Sequence, residues 1–63
     1  MRLYTAWLEW DGLTLYRVQG ARRELIGTVL LTASEEWEVW LLSQNAGAFP
    51  TRREAQEFLE RIA

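Results

Sequence analysis

Alternating apolar and polar positions open the chain, in the segment LYTAWLEW at residues 3–10. A period of two is typical of a β-strand with one buried face. An Asp-Gly pair follows directly, and this pair between two alternating segments is a strong hairpin signal. We therefore predict strands over about residues 3–10 and 13–19. A two-residue turn at Asp11-Gly12 would place Trp10 opposite Leu13 and Trp7 opposite Tyr16.

The predicted hairpin has two faces of different composition. One face consists of Tyr4, Ala6, Leu8, Trp10, Leu13 and Leu15. The other consists of Leu3, Thr5, Trp7, Glu9, Thr14, Tyr16 and Val18. Because the first face carries no charge, we expect it to lie against the core. The second face still places Trp7 beside Tyr16, which is unusually apolar for a surface that only meets solvent.

Two more strands and one helix are predicted after this hairpin. The segment ELIGTVLLT predicts a strand over about residues 24–32, in which Gly27 indicates a bulge or a close backbone approach. A fourth strand is predicted over about 37–43, and residues 44–50 are expected to form a loop. A capping box at Thr51 then predicts a helix over about 52–62. Its apolar stripe consists of Ala55, Phe58, Leu59 and Ile62.

These elements predict an α+β fold in a single domain, residues 1–63. The expected architecture is a four-stranded antiparallel β-meander with one C-terminal amphipathic helix packed on one face, in the order ββββα. One helix covers one face only, so the other face keeps large aromatic side chains. Trp37 and Trp40 are an odd number of residues apart on a strand and point to opposite faces. We expect one of them in the core and the other available for contact.

Composition rules out several kinds of chemistry. The 63 residues include no cysteine and no histidine, which excludes disulfides, ordinary zinc sites, and Ser-His-Asp or Cys-His catalysis. A chain this short has little room for a substrate pocket. We therefore predict that the protein is not an enzyme and has no catalytic residue, no metal site and no cofactor. Without an apolar membrane-spanning segment or a signal-peptide pattern, we expect it in the cytoplasm, with no membrane partner.

The segment SEEWEVW, residues 34–40, combines glutamates with tryptophans. An acidic surface bearing tryptophan would suit an arginine-rich protein groove, including one that normally holds nucleic acid. A solvated turn beside a charged strand is the alternative interpretation. The formal net charge of −2 disfavours general binding to nucleic acid. The predicted partner-binding residues are Glu35, Glu36, Trp37, Glu38 and Trp40, together with Trp7 and Tyr16 on the uncovered sheet face.

Two segments, YRVQGARRELIGTV at 16–29 and FPTRREAQEFLERI at 49–62, resemble the arm-type DNA-binding domains of phage tyrosine recombinases. In that family a three-stranded sheet backed by a helix lies in the major groove of DNA. The resemblance implies that Arg17, Arg22 and Arg23 contact DNA. A small DNA-binding module is therefore an alternative function.

A second resemblance covers most of the chain. Gly27-Thr28-Val29, a tryptophan at 37 or 40, and Phe49 to Ala55 are similar to a pattern in small stand-alone proteins of phages and prophages. Some of those proteins inhibit host defences, CRISPR complexes among them. The resemblance implies a phage-encoded, non-enzymatic inhibitor that binds a host protein complex in the host cytoplasm. A structural homodimer, joined through the apolar sheet face, is a further alternative.

Overall fold

A computed structural model describes residues 5–63 and shows a five-stranded antiparallel sheet with one C-terminal helix. The strands lie in the sheet in chain order, β1-β2-β3-β4-β5, so every strand pairs only with its neighbours in sequence. The α+β class, the meander and the helix are confirmed; the prediction of four strands is wrong. The elements are β1 (Ala6–Asp11), β2 (Thr14–Gln19), β3 (Arg22–Leu31), β4 (Trp37–Leu41), β5 (Gln44–Phe49) and α1 (Arg52–Ile62).

The fifth strand occupies the segment that the sequence predicts as a loop. β4 ends at Leu41 rather than at residue 43, and Leu42 and Ser43 form the turn into β5. Side chains of QNAGAF have little preference for strands, because amide residues and glycine are depleted there. Pairing with β4, from Leu41 opposite Gln44 to Trp37 opposite Phe49, stabilises the strand instead.

The first hairpin has a different register from the predicted one. The two central residues of its turn are Gly12 and Leu13. Trp10 therefore lies opposite Leu15 and not opposite Leu13, and Trp7 lies opposite Val18 and not opposite Tyr16. Gly12 supplies the positive φ of 64° that the turn requires. Residues 3 and 4 of the predicted first strand, Tyr4 included, lie outside the described residues.

This change of register leaves the predicted faces intact. A shift of the pairing by one residue would turn the side chains of one strand to the opposite face. Here the partner of Trp10 shifts by two residues, from Leu13 to Leu15, so each side chain keeps its predicted face. Trp10 and Leu15 lie on the side of the sheet that packs against α1, as predicted. Trp7 and Tyr16 lie on the opposite side. We call the side against α1 the covered face and the other side the open face.

The core lies between the covered face and α1. Among residues 5–63, its fully buried side chains are Leu15, Val29, Val39, Ala55 and Leu59. The helix packs mainly on β3, β4 and β5, and it reaches β1 through a hydrogen bond of 2.7 Å from Trp10 Nε1 to Glu60 Oε2. The described region contains no helix long and apolar enough to cross a membrane.

The start of α1 confirms half of the predicted capping box. Thr51 Oγ1 accepts a hydrogen bond from the backbone N–H of Glu54 at 3.2 Å. The Glu54 carboxylate does not return to the backbone, but accepts from the Thr51 hydroxyl at 2.9 Å. Behind this cap, the rings of Phe49 and Phe58 pack with centroids 5.0 Å apart and so join the helix to β5.

Gly27 allows the sheet and the helix to approach each other closely. The register of β2 and β3 shifts at this point, with Leu15 opposite Gly27 and Tyr16 opposite Leu25. A Cβ atom at Gly27 would lie 2.6 Å from the carbonyl oxygen of Trp40 and 3.0 Å from Leu59 Cδ1. Both predicted explanations for this glycine, the bulge and the close approach, are therefore confirmed.

We predict that Gly27→Ala lowers the free energy of unfolding by about 2 kcal/mol, because the added methyl group displaces backbone in a filled core. Urea denaturation followed by tryptophan fluorescence measures the change. Gly20→Asn is the control, since a Cβ at Gly20 would meet nothing within 4 Å and asparagine tolerates its φ of 61°. Equal losses for the two variants would contradict the close approach at Gly27.

We also predict that Leu42→Asn raises the free energy of unfolding by about 1 kcal/mol. Leu42 has a φ of 58°, which branched apolar residues rarely adopt, and its side chain is 77% exposed. Asparagine adopts this conformation more readily and removes little packing. Ser43→Asn, at the other turn residue, which does not have a positive φ, should give no gain. The thermal midpoints of the two variants and the parent test this difference.

Candidate functional site

The open face is the side of the sheet that no element within residues 5–63 covers. Cross-strand pairs share a face, so the strand register assigns its residues. Three of its apolar side chains are exposed by nearly half, Trp7 at 48%, Leu25 at 44% and Leu30 at 45%. The face consists of Trp7, Glu9, Asp11, Thr14, Tyr16, Val18, Arg23, Leu25, Thr28, Leu30, Glu38, Trp40, Asn45 and Ala48.

Two tryptophans on the open face each donate to a glutamate on the same strand. Trp7 Nε1 donates to Glu9 Oε1 at 3.3 Å in β1. Trp40 Nε1 donates to Glu38 Oε1 at 3.0 Å in β4. Residues two apart on a strand point the same way, which brings each indole beside its carboxylate. The face therefore has two pairs in which an aromatic ring and an anion adjoin.

A third aromatic ring on this face already holds a cation. The guanidinium carbon of Arg23 lies 4.1 Å from the centroid of the Tyr16 ring. Arg23 Nη2 lies 3.4 Å from Glu9 Oε2 and 3.7 Å from Asp11 Oδ2. Exposed ion pairs of this kind contribute little to stability. The arrangement nevertheless shows how the open face binds a guanidinium, between a ring and carboxylates.

The open face carries the charge imbalance of the chain. Its charged residues are Glu9, Asp11, Glu38 and Arg23, with a net charge of −2. The rest of the sequence contains six arginines and six glutamates, which balance. A basic partner is therefore attracted to this face more than to the remainder of the protein.

The structure divides the predicted partner-binding residues among three places. Trp7, Tyr16, Glu38 and Trp40 lie on the open face. Trp37 lies on the covered face and packs against the core, so the tryptophans of WEVW do point to opposite sides as predicted.

Glu35 and Glu36 lie in the turn between β3 and β4 and not on either face. Their backbone N–H groups donate to Thr32, Glu35 to the carbonyl oxygen at 3.0 Å and Glu36 to the hydroxyl oxygen at 3.2 Å. These bonds shape the turn, in which Glu35 has a φ of 63°. Within residues 5–63, no group of three or more carboxylates comes together as a metal site would require.

The arginines of the DNA-binding alternative start from both sides of the sheet. The strand register places Arg17 and Arg22 on the same side as α1, and Arg23 on the open face. Their side chains nevertheless line one pocket, together with Gln19 and Glu24. Within it, Arg17 Nη1 is 3.4 Å from Glu24 Oε1, and Arg23 is paired with carboxylates as described above.

Leu25, Leu30 and Glu9 belong to the open face but were not predicted as site residues. The period of two in β1 places Glu9 on the same face as Trp7. Leu25 and Leu30 are an odd number of residues apart and share the open face only because the register of β2 and β3 shifts between them, which the period alone does not predict. The spacing of Trp7 and Glu9, and of Glu38 and Trp40, would also have revealed the two indole–carboxylate pairs.

Comparisons with known proteins add no assignment to this geometry. Searches against protein-family models, curated proteins and solved structures found no match. The resemblances to recombinase arms and to small phage proteins stay predictions. The open face is thus the feature from which a function can be argued.

We predict that Leu25→Thr changes the free energy of unfolding by less than about 0.5 kcal/mol, because the side chain is 44% exposed and lies outside the core. Leu59→Ala, in the buried core, should cost about 2–5 kcal/mol. Urea denaturation of both variants separates the open face from the folding core. A large loss for Leu25→Thr would mean that this face is needed for folding.

Proposed function

We propose that this protein is a non-enzymatic interaction module that binds another protein through the open face of its sheet. The observation that carries the proposal is the exposed apolar surface of that face. Soluble proteins rarely leave contiguous large apolar side chains uncovered unless a partner covers them. On the open face, Trp7, Leu25 and Leu30 are exposed, and Tyr16, Val18 and Trp40 are half-buried beside them.

The open face belongs to an elongated fold. The principal extents are 50 × 19 × 18 Å, and the face runs across the sheet from Trp7 on β1 to Ala48 on β5. Binding through such a face depends on a few anchoring side chains, and aromatic residues most often supply them.

Charge favours a foreign partner over a second copy of the chain. In a homodimer joined through two open faces, each face would carry a net charge of −2. The two faces would repel each other, which weakens binding. A basic protein surface has no such cost. The same negative charge repels the phosphates of nucleic acid, so a protein is favoured over DNA as the ligand.

A phage-encoded inhibitor acting in the cytoplasm on a nucleic-acid-handling complex is one specific form of this proposal. Such complexes contain arginine-rich grooves, which the charge of the open face would suit. The proposal concerns the binding surface, and the inhibitor stays a prediction from the sequence.

Photo-cross-linking in the cell that produces the protein tests whether the open face contacts a partner. We place p-benzoylphenylalanine at Leu25, on the open face, or at Glu57, on the exposed side of α1. We expect a cross-link to a different protein from position 25, and a much weaker one from position 57. Mass spectrometry identifies the product. Equal cross-linking from both positions would contradict the proposal, and a product of twice the chain mass would favour the homodimer.

A further inference from the structure

We propose that Trp40 and Glu38 form a binding site for an arginine side chain of the protein partner. The inference rests on the proposed function and names the chemistry that the partner presents. It commits to one occupant, a guanidinium group on a basic protein surface. The evidence comes from a comparison of two sites on the same sheet face.

The first site shows which ligand this combination of groups holds. Tyr16 and two carboxylates surround the guanidinium of Arg23, which lies 4.1 Å from the ring centroid. An aromatic ring attracts a cation to its face, and tryptophan does so more strongly than tyrosine. The chain thus contains an arginine bound by a ring and carboxylates on the open face.

The second site has the ring and the carboxylate but lacks the cation. The cross-strand neighbours of Glu38 are Leu30 and Ala48, and those of Trp40 are Thr28 and Asn45. All four are uncharged, and no arginine of the described residues lies within 4 Å of Glu38. Glu38 is nevertheless half-buried, where an ionised carboxylate gains more from a paired cation than it would in water.

The geometry of the pair favours arginine over lysine. The indole N–H of Trp40 donates a hydrogen bond to Glu38 Oε1 at 3.0 Å, which holds the carboxylate beside the ring. The other oxygen, Oε2, accepts no hydrogen bond from the described residues. A planar guanidinium can donate to that oxygen while it stacks on the adjoining indole. An ammonium group is a compact, strongly hydrated charge and gains less from the flat ring.

The test uses the full chain, labelled with ¹⁵N, and two peptides of equal charge. Deca-arginine amide and deca-lysine amide are titrated at near-physiological salt, and the indole N–H resonances of the four tryptophans are followed. We expect deca-arginine to bind several-fold more tightly and to shift the Trp40 resonance, while the resonances of Trp10 and Trp37, on the covered face, stay in place.

A matched pair of variants isolates the carboxylate. Glu38→Gln keeps an oxygen for the indole N–H but removes the charge, and should weaken deca-arginine binding about fivefold. Glu57→Gln removes the same charge from the exposed side of α1 and should weaken it less than about twofold. Equal losses in the two variants, equal affinity for the two peptides, or an unmoved Trp40 resonance would each overturn the arginine site.

The two proposals fail separately. A cross-link from position 25 without selective arginine binding would leave the open face as an interaction surface and remove the arginine site. Loss of the cross-link in the Glu38→Gln variant, with retention in Glu57→Gln, would support both. The spectrum of each variant in the absence of peptide reports whether the fold is intact.

Discussion

One short helix has to cover a five-stranded sheet, and the rest of the structure follows from this mismatch. α1 has 11 residues, so it is about 16 Å long and about 10 Å wide, narrower than a sheet of about 19 Å. Within residues 5–63, the fully buried core therefore consists of Leu15, Val29 and Val39 from the sheet and of Ala55 and Leu59 from the helix. Within residues 5–63, no other element covers the second face.

Tight contact under the helix partly makes up for the small covered area. Gly27 lets the sheet and the helix approach, so that Leu59 packs directly on β3 and β4. Trp10 donates a hydrogen bond to Glu60 and so joins the first strand to the last turn of the helix. These contacts all lie on the covered face, which leaves the open face available for binding. The core and the candidate binding site are thus built on opposite sides of the same strands.

Features set by local pattern could be predicted from the sequence, and those set by pairing could not. The alternation around Trp7 and Trp10 identified both faces of the first hairpin, because side-chain direction depends only on the period of the strand. The turn was misplaced by one residue, since Asp11-Gly12 and Gly12-Leu13 can each place glycine at a positive φ. β5 was missed because its residues are held by β4 rather than by their own preferences. The site was only partly predicted, because Glu35 and Glu36 are close to Trp37 in sequence but lie in a turn.

The nearest-neighbour order of the strands also determines how the chain can fold. Each strand finds its partner only a few residues away, and such local contacts allow fast folding for a β-rich protein. β3 is central to this process, because its first part pairs with β2 and its last part with β4. The helix that seals the core leaves the ribosome after all five strands. Until Ala55 and Leu59 emerge, both faces of the nascent sheet are uncovered. The growing chain is therefore prone to aggregation at this stage of its synthesis.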